Sequence, residues 1–127
     1  MLPTFTPNEV IWTLTLLSMK HTLADFIFQS GWMIEQKGYY GKPRGLAHAG
    51  LHGFLTAVAF LMSAPVSVPV ALGLGAIDAV SHYHIDYIKS QLCRHLGLTV
   101  KDKNFWNLVG LDQFMHYMTY LTLVYIA

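Results

Sequence analysis

Charge is scarce in this chain. Aspartate, glutamate, lysine and arginine together make up 12% of its 127 residues, roughly half the share of an ordinary soluble domain. A small soluble protein has much surface for its volume and keeps that surface in water with charge. The scarcity, with a mean hydropathy of +0.40, therefore points to lipid as the solvent. Cysteine is nearly absent too: Cys93 stands alone, which excludes an intrachain disulfide framework and a cysteine-based zinc finger, and it reads as an inert filler. There is no excess of basic charge either. Eight lysines and arginines against seven aspartates and glutamates leave a formal net charge of +1, which excludes the basic field of a nucleic-acid binder. The N-terminal stretch lacks a basic region followed by a small-residue cleavage site, so the first apolar segment is expected to be retained. No internal repeat is evident, and residues 1–127 form one domain.

What is present is helix. Four segments can be drawn, at about residues 8–36, 46–62, 68–92 and 105–127. The first opens after Thr6-Pro7-Asn8, with Glu9 in its first turn, a capping sequence. Its second half carries Lys20, His21, Asp25, Gln29 and Glu35. A helix needs about 20 residues to cross the hydrocarbon core; the first, third and fourth segments reach that length, and the second is marginal. Lysine and arginine gather in two loops: Lys37, Lys42 and Arg44 in the first, Arg94, Lys101 and Lys103 in the last, with Lys89 close by. By the positive-inside rule both loops are cytoplasmic and both chain ends lie on the other side. Lys20 is the exception inside a helix, expected to snorkel or to pair with a carboxylate. Trp12, Trp32 and Trp106 sit near segment ends, as an interfacial belt would. The fold expected is all-α, an integral membrane four-helix bundle among membrane lipids.

Every segment also carries metal-capable residues four apart: His21 and Asp25, His48 and His52, Asp78 with His82 and Asp86, Asp112 and His116. Side chains at i and i+4 share a helix face, so two ligands from one helix can converge on one ion. With alternating helix directions all four sets fall at about one depth, near the cytoplasmic side. Any single pair would serve as interhelical hydrogen-bond glue. Four sets at one level, with four aspartates buried in lipid, point instead to a functional site whose charge one or two divalent metal ions would neutralise. The nine candidate ligands are His21, Asp25, His48, His52, Asp78, His82, Asp86, Asp112 and His116. Mixed imidazole and carboxylate donors suit zinc, manganese or iron. Gln29 and Gln113 flank the cluster and could orient ligands or a water. Lys89 extends the Asp78/His82/Asp86 stripe and is a candidate for holding an anionic group. His84, on the opposite helix face, and His95, in the basic loop, are expected to stand apart.

The elements Lys20-His21-Thr22-Leu23-Ala24-Asp25-Phe26 with Gln29, His48-x3-His52, His82-x3-Asp86-x2-Lys89 and Asp112-Gln113-x2-His116 together resemble a family of bacterial and phage membrane proteins, the domain of unknown function 3307. The resemblance covers nearly the whole chain. It implies a small membrane protein with this polar pattern, placed as a multi-pass protein in the bacterial inner membrane, and it implies no activity. The arrangement resembles, more loosely, membrane-bound metal-dependent hydrolases related to the SOS-regulated inner-membrane family.

The expected function is a membrane-embedded, metal-dependent hydrolase open to the cytoplasm, acting on a phosphoester or lipid-linked substrate. A metal-activated water would attack, and Asp25 or Asp112 would serve as general base. A rival from another class is a divalent-cation transporter or channel using the same cluster, although the outer halves of the second and fourth segments offer no polar path. A third is a non-catalytic phage or host interaction protein in which the cluster is packing alone. A homodimer would cover part of the exposed surface of so small a bundle.

Overall fold

The computed structural model describes residues 5–34 and 36–127. Glu35, assigned from sequence to the polar half of the first segment, lies outside the described residues. Among the described residues the chain is all-helical: α1 spans Pro7–Thr22 and runs into a π-helical turn, Leu23–Ile27; α2 is a single turn, Gly31–Ile34; α3 spans Pro43–Ser63, α4 Val68–His95 and α5 Lys103–Ile126.

The start of α1 is written in its sequence. The Glu9 amide donates to Thr6 Oγ1 at 3.3 Å while the Thr6 amide donates to Glu9 Oε2 at 2.7 Å, a reciprocal capping box, with Pro7 where a missing N–H costs nothing. The single helix expected to continue to about residue 36 does not form. The Phe28 amide reaches back five residues to the Leu23 carbonyl at 2.8 Å, the mark of a π turn. The Gln29 side-chain amide then donates to the Asp25 carbonyl at 3.1 Å, satisfying an acceptor that the helix end leaves open. Ser30 and Gly31 complete the break, and Ser30 Oγ accepts from the Met33 amide at 3.4 Å to begin α2.

The segment expected to be marginal turns out longer. Gly41 takes a φ of +73°, a conformation that favours glycine, and delivers the chain to Pro43 at the first position of α3. That helix has 21 residues with a mean hydropathy of 1.4 over its best window, and among the described residues it is the one helix long and apolar enough to cross a membrane. α4 and α5 are longer, at 28 and 24 residues, roughly 42 and 36 Å at 1.5 Å per residue, but polar residues interrupt them. α1 has 16 residues and falls short by itself. At the end of α4, Gly97 with φ +63° lets the Leu98 amide bond the Cys93 carbonyl at 2.8 Å, a left-handed helix stop. In the following loop Asp102 accepts from the Thr99 amide and hydroxyl at 2.8 and 2.9 Å; these donors hold its carboxyl below the ordinary carboxylate range.

Each long helix packs on two others, α1 on α3 and α5, and α4 on α3 and α5. The tightest seam is between antiparallel α3 and α4. Gly53 and Ala57 on one helix meet Gly75 and Ala79 on the other, and a methyl placed on Gly53 would stand 2.5 Å from the Gly75 carbonyl oxygen. Small residues at this spacing let two helix backbones touch. The same register brings Thr56 to Asp78 and His48 to His82.

The two ends of the molecule differ. At one, Leu17, Phe60, Leu74, Tyr120 and Leu123 form an apolar core against which Phe5 and Val66 pack, and Thr13 and Ser63 join their hydroxyls at 2.8 Å. At the other, the first basic loop meets the end of α4: the Arg94 guanidinium lies 4.6 Å from the Tyr39 ring and Gln91 donates to the Gly38 carbonyl. Across the bundle the usual distribution is inverted. Phe26, Met62 and Ile11 are 76%, 70% and 64% exposed, while His52 and His82 are fully buried.

Candidate metal centre

The stripes at four-residue spacing place their side chains in the bundle interior. The π turn supplies Asp25, α3 supplies His48 and His52, α4 supplies His82 and Asp86, and α5 supplies Asp112 and His116, with His21 on the last turn of α1. Eight of the nine candidates form three overlapping groups, Asp25/His48/His52/His82, His21/His82/His116 and Asp86/Asp112/His116, with one ligand atom from each residue within 4.8 Å of the others.

At the centre, His48 Nε2 lies 3.1 Å from Asp25 Oδ1, 3.1 Å from His82 Nε2 and 3.6 Å from Asp86 Oδ2. His82 Nε2 lies 3.4 Å from the same Asp86 oxygen and 3.9 Å from Asp25 Oδ1. A tetrahedral ion bound at about 2.0–2.1 Å keeps its ligand atoms about 3.3 Å apart. These five separations, among two imidazole nitrogens and two carboxylate oxygens, lie near the spacing of such a shell.

His52 also approaches Asp25 Oδ1, at 3.2 Å through Nε2, but its other nitrogen decides its role. Lys20 Nζ lies 3.2 Å from His52 Nδ1, and the ammonium, paired with Asp78, can only donate there. That leaves the ring proton on Nε2, directed at Asp25, so His52 orients the carboxylate instead of offering a lone pair. His21 works on the other oxygen. Its Nε2 stands 2.9 Å from Gln113 Oε1 and 3.2 Å from Asp25 Oδ2, while the Tyr120 hydroxyl meets its Nδ1 at 2.8 Å. Such partners fix the aim of a ligating carboxylate. Gln113 also donates to Asp112 Oδ2 at 3.0 Å.

Several buried atoms here lack a hydrogen-bond partner within the protein, among them His116 Nε2, Asp112 Oδ1, Asp86 Oδ2, and Nδ1 of both His48 and His82. Buried polar atoms rarely go unpaired, and a bound cation would occupy the first three. Asp86 Oδ2 does meet the Lys37 ammonium at 2.8 Å, and Lys37 lies 3.8 Å from Asp25 Oδ1. The donor set fits a divalent ion of the zinc, manganese or iron type.

Two of the sequence candidates lie apart from these groups. Asp78 does not join the cluster. Its Oδ2 takes the Lys20 ammonium at 2.6 Å and the Thr56 hydroxyl at 2.6 Å, because the α3/α4 register sets it one turn below His82 beside the lysine. Lys89 leaves the polar stripe: it lies over the Phe105 ring, 5.8 Å from its centre, and lines a surface groove between α4 and α5. His84 faces outward and meets the Tyr40 hydroxyl at 3.1 Å, and His95 is exposed; both stand apart from the cluster as expected. Lys37, Thr56 and Tyr120 were missed. Thr56 and Tyr120 each extend a visible stripe by one more rung of four. Nothing in the spacing marks Lys37, which arrives from a loop.

The family model described as "Protein of unknown function (DUF3307)" matches residues 13–127, and the chain belongs to that family. No curated protein matches the chain, and no solved structure matches it.

Proposed function

We propose that this DUF3307 member is a multi-pass protein of the bacterial inner membrane that binds a divalent metal ion and hydrolyses a phosphoester or lipid-linked substrate at its cytoplasmic face. The observation that carries the reading is the convergence of Asp25 Oδ1, His48 Nε2, His82 Nε2 and Asp86 Oδ2, from three separate elements, at ligand-shell spacing in a buried place. Membrane embedding is supported by the inverted surface. Large apolar side chains cover the outside of the helices while aspartates and histidines lie within, the arrangement that lipid favours. With both basic loops at one end, the positive-inside rule puts that end in the cytoplasm.

A divalent ion in such a site supplies a Lewis acid and brings the pKa of a water toward neutrality. The protein's own groups then divide the work. His21 and His52 hold Asp25, Gln113 holds Asp112, and Asp112 keeps Oδ1 unengaged. Asp112 is thus the better placed general base, and Asp25 the better placed ligand. Water oxygen joins phosphorus, the ester oxygen departs, and the proton taken by Asp112 passes to the leaving alkoxide. The groove between α4 and α5, of about 240 Å³, runs among Ile88, Leu92, Leu108 and Leu111 and carries both Lys89 and Asp112. It suits a hydrocarbon chain whose anionic headgroup meets a lysine.

The apolar core of Leu17, Phe60, Leu74 and Leu123 favours access from one side only, and hence an enzyme over a transporter. Elemental analysis of detergent-purified protein is expected to find zinc, manganese or iron in stoichiometric amount, lost from His48→Ala and His82→Ala, together with release of phosphate from a lipid phosphate ester. Protein without bound metal would overturn the reading. Metal uptake into proteoliposomes, abolished by Asp25→Ala, would replace it with transport.

A further inference from the structure

We infer that the cluster holds two ions, the second between His116, Asp112 and Asp86, with the Asp86 carboxylate bridging them. The inference rests on the metal reading above and changes one role in it: with Oδ1 on the second ion and Oδ2 on Gln113, Asp112 is a ligand and no longer the general base, and the attacking water gives its proton to solvent.

The two oxygens of Asp86 face different groups. Oδ2 is shared among His48, His82 and Lys37, at 3.6, 3.4 and 2.8 Å. Oδ1 turns the other way, 3.4 Å from His116 Nε2. His116 Nε2 in turn lies 3.7 Å from Asp112 Oδ1. These are ligand-shell spacings again, and neither His116 Nε2 nor Asp112 Oδ1 has a hydrogen-bond partner, although His116 is 1% and Asp112 7% exposed. A nitrogen and an oxygen so deeply buried and without a hydrogen-bond partner, grouped with Asp86 within 4.8 Å, could hold a second cation. Paired ions in hydrolytic sites sit about 3.5–4 Å apart and clamp the attacking and leaving oxygens, and a bridging carboxylate sets that spacing.

Charge counting agrees. With carboxylates ionised and imidazoles neutral, Asp25, Asp86 and Asp112 give −3 and Lys37 gives +1, a total of −2. One divalent ion brings the site to neutrality and leaves nothing to attract an anion. Two bring it to +2, which a hydroxide and a phosphate monoester or diester oxygen would offset. The second ion thus supplies the attraction that an anionic substrate requires.

The test is titration of chelator-stripped, detergent-solubilised protein with cobalt(II), read by elemental analysis after desalting and by electron paramagnetic resonance. The expected result is two ions per chain with a spin-coupled signal, one ion and no coupling in His116→Ala and in Asp112→Asn. One ion in the wild type, unchanged in His116→Ala, overturns the second site and leaves the first standing. Two ions in both variants place the second ion elsewhere and also overturn it. No ions at all would sink the metal reading itself. Because coupling is read on the wild type, the result does not depend on either variant folding.

Discussion

Two polar knots lie a turn apart in the same bundle, and they are built differently. In the first, Lys20 and Thr56 each donate to Asp78 Oδ2 at 2.6 Å, with His52 accepting a further bond from the lysine. One cation meets one anion, and the spare Asp78 Oδ1 is the only atom of the carboxylate left over. In the second, three aspartates face one lysine, and His116 Nε2 and Asp112 Oδ1 have no hydrogen-bond partner. The first knot is complete as a protein interaction, a buried ion pair tying α1 to α3 and α4. The second leaves carboxylates in excess of lysine, a charge that the proposed ions would offset. Burial alone therefore does not separate glue from a site; the charge balance and the open lone pairs do.

The largest effect should come from breaking the first knot. Asp78→Ala leaves the Lys20 ammonium buried and unpaired, which costs about 3–5 kcal/mol, seen as a lower thermal midpoint in detergent. Its metal content should match the wild type once folded, and loss of metal there would merge the two knots into one. The pair exchanged for Lys20→Met with Asp78→Leu should recover that stability. Next, His21→Ala removes the group that aims Asp25 Oδ2 without removing a ligand. Metal affinity should fall roughly 10–100-fold, as measured by competition with a chelating dye, and an unchanged affinity would make His21 a packing residue. The smallest change is the most diagnostic. Lys37→Met deletes the ammonium that stands against Asp86 and Asp25, so metal should bind about tenfold more tightly, a gain of about 1.4 kcal/mol. Weaker binding would instead make the lysine part of the holding shell.

Much of this was legible in the sequence because helical spacing is strict. The four-residue stripes brought His48, His52, His82, Asp86, Asp112 and His116 to one level, and the alternating directions of the helices could be counted. Spacing says nothing, however, about which neighbour reaches a carboxylate first. Asp78 lies on the same stripe as His82, yet Lys20 on another helix claims it. Lys89 likewise continues the stripe in sequence but lies over Phe105, where its stem packs on apolar surface. Helix ends were the other blind spot. Pro43 can open a helix as readily as a loop can include it, so α3 gained three residues, and a π turn leaves no periodic mark at all.

That π turn has a consequence for chain length. From Leu23 to Ile27 the helix carries one residue more than its regular ladder holds. Deleting any one of the five would restore the ladder and swing everything after it by about 100° around the axis. Asp25 would then turn away from His48 and His52, or the break at Ser30 would face a different neighbour. Substitutions at exposed Phe26 and Ile27 should therefore cost far less than the loss of either residue. Insertions and deletions across residues 23–27 should be absent wherever the cluster is kept.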